Sequence, residues 1–362
     1  TTSVTSLTAA GTGCVVFQQF GGGNVTFADA STSIGSLTLQ SGQVLPSVDV
    51  AYATQGTLAA DGRNAVLVTH GFTSAHTMIE PGHHVAEGSW VPIIGPGKPL
   101  DTNRWFVVCS NMLGSAAGTT GPRDLNPATG KPWGPDFPDI LLEDIVEVQY
   151  RLMLALGVKH IRAVMGPSYG GWQSLQWAID HPNMVDAIGV IASDFQHPVG
   201  QSKASQIERL SQSPQWHGGW YYDQGGMYET LLQLRLQTLQ SYGLETLYEE
   251  KYPDPVKRKE AMETPSRAWA KNFDANSMVV LSGAAENFNV SNRLNEIKAR
   301  TLMVQCTTDK VFPANQETQR KLQNISASTK YVELDSPYGH MASGVDIAKW
   351  QNEIPWLLQA DV

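Results

Sequence analysis

The pentapeptide Gly166-Pro-Ser-Tyr-Gly170 constrains this chain more than any other feature. It follows a short apolar run, Ile161-Arg-Ala-Val-Met165, and precedes a helix-compatible stretch, Gly171-Trp-Gln-Ser-Leu-Gln-Trp-Ala-Ile179. A Gly-x-Ser-x-Gly sequence wedged between strand and helix makes a turn so tight that the serine backbone is strained. Side chains at Gly166 or Gly170 would collide with neighbouring elements. The strain holds the Ser168 hydroxyl above a sheet edge, where a substrate carbonyl can reach it. The pentapeptide alone is weak, because a chain with 33 glycines can carry it by chance. Its strand–turn–helix setting gives it force.

The pattern around the elbow predicts the fold. Ser36-Leu-Thr-Leu39, a Ser41-Gly42 turn and Val48-Asp-Val-Ala-Tyr52 alternate as half-buried antiparallel strands do. Ala65-Val-Leu-Val-Thr69 and Trp105-Phe-Val-Val-Cys109 are continuous apolar runs, as expected of central strands covered on both faces. Leu141 to Leu156 carries Ile145, Val148, Leu152 and Leu156 at helical spacing and meets a capping Gly157. After the run Ala187-Ile-Gly-Val-Ile-Ala192 the alternation stops. Residues 197 to 297 hold helix-like patterns such as Tyr228 to Leu239, and core strands resume at Thr301-Leu-Met-Val-Gln305 and Tyr331-Val-Glu-Leu334. Alternating strands and helices mean a mostly parallel sheet flanked by helices. With the elbow, this predicts an α/β-hydrolase fold: a core of residues 1–196 and 298–362, with a helical lid, 197–297, inserted after the sixth core strand.

Composition narrows the functional classes. The chain of 362 residues is 41% hydrophobic and 16% charged, enough for a sizeable core. A net charge of −9 with no basic face argues against nucleic-acid or anionic-membrane partners. No apolar run reaches membrane-spanning length, and the first ten residues lack a basic-then-apolar signal pattern. Cys14, Cys109 and Cys306 are odd in number and widely separated, with the last two in strand-like runs. Free buried thiols and a cytoplasmic location follow as the default.

A serine hydroxyl needs a base, normally a histidine held by a carboxylate. In this fold the chain order is serine, acid, histidine, with the last two on loops after later strands. Asp309 follows the strand at 301–305. His340 follows the next strand and is the sole histidine after His217. Asp335 is the rival acid, but it shares a loop with His340, whereas the expected order puts the acid one strand earlier. The oxyanion requires two backbone N–H donors, which map to Tyr169 and to Phe72 in His70-Gly-Phe-Thr73. His70 reads as a structural loop histidine. His76, His83 and His84 form a local cluster that reads as a solvated or pocket-lining loop, so no metal is expected. Trp90, Trp133, Trp216 and Trp220 lie in loop-like contexts where an acyl pocket could use them; Trp220 and Tyr221 are the candidates for substrate contact.

Longer blocks carry a resemblance. Gly95-Pro-Gly-Lys-Pro-Leu-Asp-Thr-Asn-Arg-Trp-Phe-Val-Val-Cys-Ser-Asn-Met-Leu-Gly114, Gly118-Thr-Thr-Gly-Pro122 and Asn126-Pro-Ala-Thr-Gly130 resemble the homoserine O-acetyltransferase family. Phe137-Pro-Asp-Ile140, Phe273-Asp-Ala-Asn276 and Ser336-Pro-Tyr-Gly-His340 extend the similarity, which spans nearly all the chain from about residue 35. The resemblance implies ping-pong acyl transfer through an acyl-serine, with Ser168, Asp309 and His340 as triad, and often a homodimer joined through lid helices. It also implies an aspartate after the histidine to hold the homoserine acceptor, where this chain has Met341. An arginine about seven residues before Pro-x-Trp is implied as well; that count falls on Ile207, with Arg209 two places on. A pocket lacking these partners does not favour a zwitterionic amino acid, because buried charge needs pairing.

Three functions compete. An esterase-type hydrolase acting on a small acyl ester or thioester leads. An O-acyltransferase moving an acyl group from acyl-CoA to an alcohol other than homoserine is the alternative, and a ligand-binding pseudoenzyme is the third. No cofactor is expected, acyl-CoA entering at most as a substrate.

Overall fold

Apolar runs become strands covered on both faces. In a computed structural model of the chain, which describes residues 28–81 and 89–359, eight strands form one sheet. They are β1 (Ala28–Ser33), β2 (Asp49–Gln55), β3 (Ala65–Thr69), β4 (Phe106–Ser110), β5 (Ile161–Pro167), β6 (Ala187–Ile191), β7 (Arg300–Cys306) and β8 (Thr329–Leu334). Their order is β1-β2-β4-β3-β5-β6-β7-β8. β2 runs antiparallel to β1 and β4, and every pair from β4 to β8 is parallel. Alternate side chains enter opposite layers, as the pleat requires. Ala65 and Leu67 of β3 join the layer under the helices α1 (Leu142–Ala155) and α2 (Tyr169–Asp180), while Val66 and Val68 join the layer built on Trp90 and Trp350.

The predicted helix after residue 141 is α1. Asp144 accepts the Leu141 N–H at 2.8 Å, occupying a donor at the helix start. At the other end Gly157 takes φ 86°, the left-handed stop that glycine adopts without steric cost. The N-terminal strands differ from expectation. Leu37–Thr38 pairs with Val44–Leu45 in a separate hairpin, and the 49–55 segment leaves it to join the main sheet as β2. Leu37 and Leu45 are buried beneath the hairpin, whereas Val50, Ala51 and Ala53 are buried along β2. Leu37, Leu45 and Val50 nonetheless pack into one core cluster, so two sheets close over the same core.

Between β6 and β7 the chain makes α3 (Lys203–Ser211), α4 (Tyr228–Ser241), α5 (Leu244–Lys251), α6 (Pro255–Asn272) and α7 (Ala275–Ala285). These helices have an apolar cluster of their own, with Leu210, Trp216, Leu231, Leu234, Phe273 and Met278. The last helix is shared: Leu281, Ala284 and Ala285 of α7 pack into the sheet's core, and the Tyr169 hydroxyl donates to the Leu281 carbonyl at 3.1 Å. Among the described residues no helix is long and apolar enough to cross a membrane. Cys109 and Cys306 are buried free thiols, and Cys14 lies outside the described residues.

Candidate active site

The elbow is strained as its sequence predicts. Ser168 sits between β5 and α2 with φ 56° and ψ −123°, a conformation that costs a non-glycine residue about 1–3 kcal/mol. Its N–H is anchored to the Ile191 carbonyl of β6 at 2.8 Å. The flanking glycines are required by one neighbour, the end of β3. A Cβ on Gly166 would lie 2.0 Å from the Thr69 carbonyl oxygen, and one on Gly170 2.4 Å from it.

Asp309 lies just beyond β7 and His340 just beyond β8. The His340 Nδ1–H donates to Asp309 Oδ2 at 2.7 Å, with both side chains buried. Asp309 Oδ1 accepts the Val311 N–H at 2.7 Å, which fixes the carboxylate plane. Thr308 ties the two loops together: its hydroxyl donates to the Ser336 carbonyl at 2.6 Å and accepts the Gly339 N–H at 3.1 Å. With Nδ1 protonated, Nε2 of His340 is the basic nitrogen. It makes no hydrogen bond among the described residues, Ser168 Oγ included. The ring is flanked by Tyr242 at 4.6 Å and Phe312 at 5.9 Å between centroids. Asp335, the rival acid, is exposed and makes no pair with His340.

The Phe72 and Tyr169 side chains stack at 6.0 Å between ring centroids, and both residues line the same cavity as Ser168. Neither amide donates a hydrogen bond to a described residue. Burial pushes the Tyr169 phenol far up, so it stays protonated. His70 is structural. Its Nδ1–H donates to the Gly71 carbonyl at 2.9 Å and its Nε2 accepts the Met112 N–H at 3.1 Å. Desolvation, ahead of smaller influences, lowers its pKa to about 4, so the imidazole is neutral.

Ser168 opens into a cavity of about 380 Å³. One wall is apolar, with Phe72, Trp172, Leu281 and Phe312; the other is polar, with Ser202, Ser205, Gln206 and Arg209. No aspartate or glutamate is among its described lining residues. Arg209 is exposed and donates to the Gln237 amide oxygen at 3.1 Å, and partial desolvation lowers its pKa.

The other residues singled out from sequence lie elsewhere. Met341 is buried with Leu239, Leu244 and Leu247, away from the cavity wall. Tyr221 is buried in the lid, where its hydroxyl donates to Asp274 at 2.7 Å and accepts the Asn276 N–H at 2.8 Å. Trp220 is 42% exposed and lies over Gly134. Trp90 packs on Trp350, Trp133 on Phe137 and Trp216 on Tyr221. None of these six lines the Ser168 cavity, because aromatic rings in connecting segments found apolar partners in the core and the lid. His83 and His84 lie outside the described residues. Sequence reasoning missed Tyr242 against His340, and Arg235, which is buried in α4 and donates to the Thr73 hydroxyl at 3.0 Å. The available signal was an arginine on the same helical stripe as Leu231 and Leu239.

Comparison with known proteins agrees with this architecture. The α/β hydrolase fold family matches residues 64–346. Homoserine O-acetyltransferase of Carboxydothermus hydrogenoformans is 34% identical over 348 residues, covering 86% of this chain and 90% of the relative. The Haemophilus influenzae (strain 86-028NP) enzyme of that name is 34% identical over 341 residues, covering 88% and 94%. Among solved structures, a homoserine O-acetyltransferase from Bacillus anthracis superposes with TM-score 0.81 at 25% identity, covering 93% of this chain and 98% of that one. Esterase E22 superposes with TM-score 0.81 at 24% identity, covering 92% and 100%, a likeness of fold.

Proposed function

Because the chain belongs to the α/β-hydrolase family, in its homoserine O-acetyltransferase-like branch, we propose that it transfers acyl groups through an acyl-Ser168 intermediate. The observation that carries this is the buried His340–Asp309 pair, 2.7 Å apart, whose ring neighbours Tyr242 and Phe312 line the same cavity as the strained Ser168. Ser168 Oγ attacks the substrate carbonyl while His340 Nε2 takes its proton. Asp309 holds the Nδ1–H tautomer and stabilises the imidazolium. The Phe72 and Tyr169 amides receive the oxyanion, and His340 returns the proton to the leaving alcohol or thiol. The Oγ–Nε2 hydrogen bond closes as substrate binds, as is common when catalytic contacts are loose in the free enzyme.

Hydrolysis of a small acyl ester or thioester is the leading reading, water deacylating Ser168. The cavity favours it over homoserine acetylation. A bound amino acid presents an ammonium that needs an acidic partner. The described cavity wall offers none, and Met341 turns away. Arg209 then serves the polar end of the substrate. The second reading, transfer from acyl-CoA to an alcohol, is favoured by the relatives, whose names are those of acetyltransferases. Acetyl-CoA and p-nitrophenyl acetate, each with and without candidate alcohols, separate the two. Acyl release at full rate without an alcohol supports hydrolysis, and release only with an alcohol supports transfer. Unchanged turnover in Ser168→Ala would sink both.

A further inference from the structure

The Phe72 amide is aimed by a relay of hydrogen bonds that begins in the inserted helices. Gly71 to Ser74 is a turn closed by the Ser74 N–H, which donates to the Gly71 carbonyl at 3.2 Å. That carbonyl belongs to the same peptide plane as the Phe72 N–H, so whatever fixes the Gly71 oxygen fixes the direction of the Phe72 donor. The Ser74 N–H in turn shares a peptide plane with the Thr73 carbonyl. Trp269 of α6 grips that carbonyl through its Nε1–H at 2.9 Å. Arg235 of α4 donates to the Thr73 hydroxyl at 3.0 Å and lies 4.7 Å from the Trp269 ring centroid. Phe273 stacks on Trp269 at 4.4 Å and 18°, holding the indole from its own helix terminus.

We propose that Trp269 is a positioning residue for the oxyanion site, acting through the peptides Thr73–Ser74 and Gly71–Phe72. This rests on the acyl-serine reading and deepens it. The relay runs from the indole N–H to the Thr73 carbonyl, from the Ser74 N–H to the Gly71 carbonyl, and from the Phe72 N–H to the developing oxyanion. His70 Nδ1–H joins it at the Gly71 oxygen. Each bond polarises the next, so the last donor is strengthened as well as aimed. The ground-state carbonyl gains less from that donor than the oxyanion does, so the effect falls on turnover and not on substrate affinity.

The test is Trp269→Phe, which removes the N–H and keeps a ring against Arg235 and Phe273. Turnover of p-nitrophenyl acetate should fall about 10-fold with KM within about two-fold, a fraction of the loss seen when an oxyanion donor is deleted outright. Affinity for a small alkylboronic acid, whose Ser168 adduct carries the tetrahedral oxygen, should weaken in the same proportion. A β-(3-benzothienyl)alanine at 269, which replaces N–H by sulfur in the same outline, gives the same readout should the phenylalanine variant fold poorly. Wild-type kcat in either folded variant, or a change confined to KM, overturns the proposal. Labelling by a fluorophosphonate that is lost in Ser168→Ala checks the acyl-serine reading separately, so the two can fail independently.

Discussion

Replacing Gly170 by alanine should damage catalysis through the Thr69 carbonyl. The new Cβ would stand 2.4 Å from that oxygen and 2.9 Å from its carbon, where real Cβ contacts essentially never fall below 3.0 Å. Relief needs a shift of at least about 0.6 Å at a backbone atom, since no flexible side chain can move aside. Two movements are open. If α2 retreats, it takes Ser168 and the Tyr169 amide with it. If Thr69 retreats, it carries the following His70-Gly71-Phe72. Overpacking of this kind costs about 1–3 kcal/mol, which lowers Tm by about 1–4 °C for a chain of this size. Because a misplacement of about 1 Å costs on the order of 100-fold in rate, kcat should fall about 10- to 100-fold. Steady-state hydrolysis of p-nitrophenyl acetate and thermal melting by circular dichroism read both effects. Gly283→Ala is the control, because its Cβ would meet only the flexible Lys203 side chain, at 3.2 Å; it should leave kcat unchanged. Gly170→Ala with kcat and Tm equal to wild type would refute the steric argument, since the elbow would then tolerate a methyl group against a peptide oxygen.

Other perturbations isolate single interactions. Asp309→Asn should keep the fold but lower kcat by about 10⁴-fold through loss of the correct His340 tautomer, read by steady-state kinetics beside a thermal melt. His70 sets a pH dependence. Its folded pKa of about 4 lies below the ordinary 6.5, so the unfolded chain binds the proton first and stability is lost as pH falls from 6.5 towards 4, by about 3 kcal/mol. His70→Gln should flatten Tm across that window. Buried carboxyls raised by desolvation, such as Asp274, act oppositely in both proteins and cancel in the difference. Tyr221→Phe strands the Asn276 N–H and one Asp274 oxygen, costing about 1–3 kcal/mol in urea unfolding. With Tyr221 off the Ser168 cavity wall, kcat should stay within about three-fold.

The sequence reached furthest where chemistry is local. The elbow glycines, the fully buried β3, the β5 strand buried at all but Arg162 and the two loops bearing Asp309 and His340 follow from periodicity and strand order, because a strand end fixes where the next residue stands. The lid contacts did not follow. Trp220 and Tyr221 are neighbours of Pro214-Gln-Trp216 in sequence, yet their environment is decided by Asp274 and Gly134, more than 50 residues away. Arg235 and Trp269 meet Thr73 across separations of 162 and 196 residues, beyond any window of helical spacing. The hairpin at Leu37 and Leu45 departs from expectation for a related reason: alternation shows which face of a strand is apolar, but not which strand it pairs with.

The shared helix α7 says where the molecule can be cut and rejoined. Its outer side completes the lid, while Leu281, Ala284 and Ala285 are bricks of the sheet's core. A lid borrowed from a relative and spliced in after α7 would import a foreign wall into the core, whereas one spliced in before Asp274 would leave that wall native. Chimeras built on the two seams should therefore melt several degrees apart, the later seam lower. By the same token, the insertion can change its cavity-lining helices α3 and α4 over generations while α7, which lines the same cavity and is mortared to the Tyr169 hydroxyl, changes with the core.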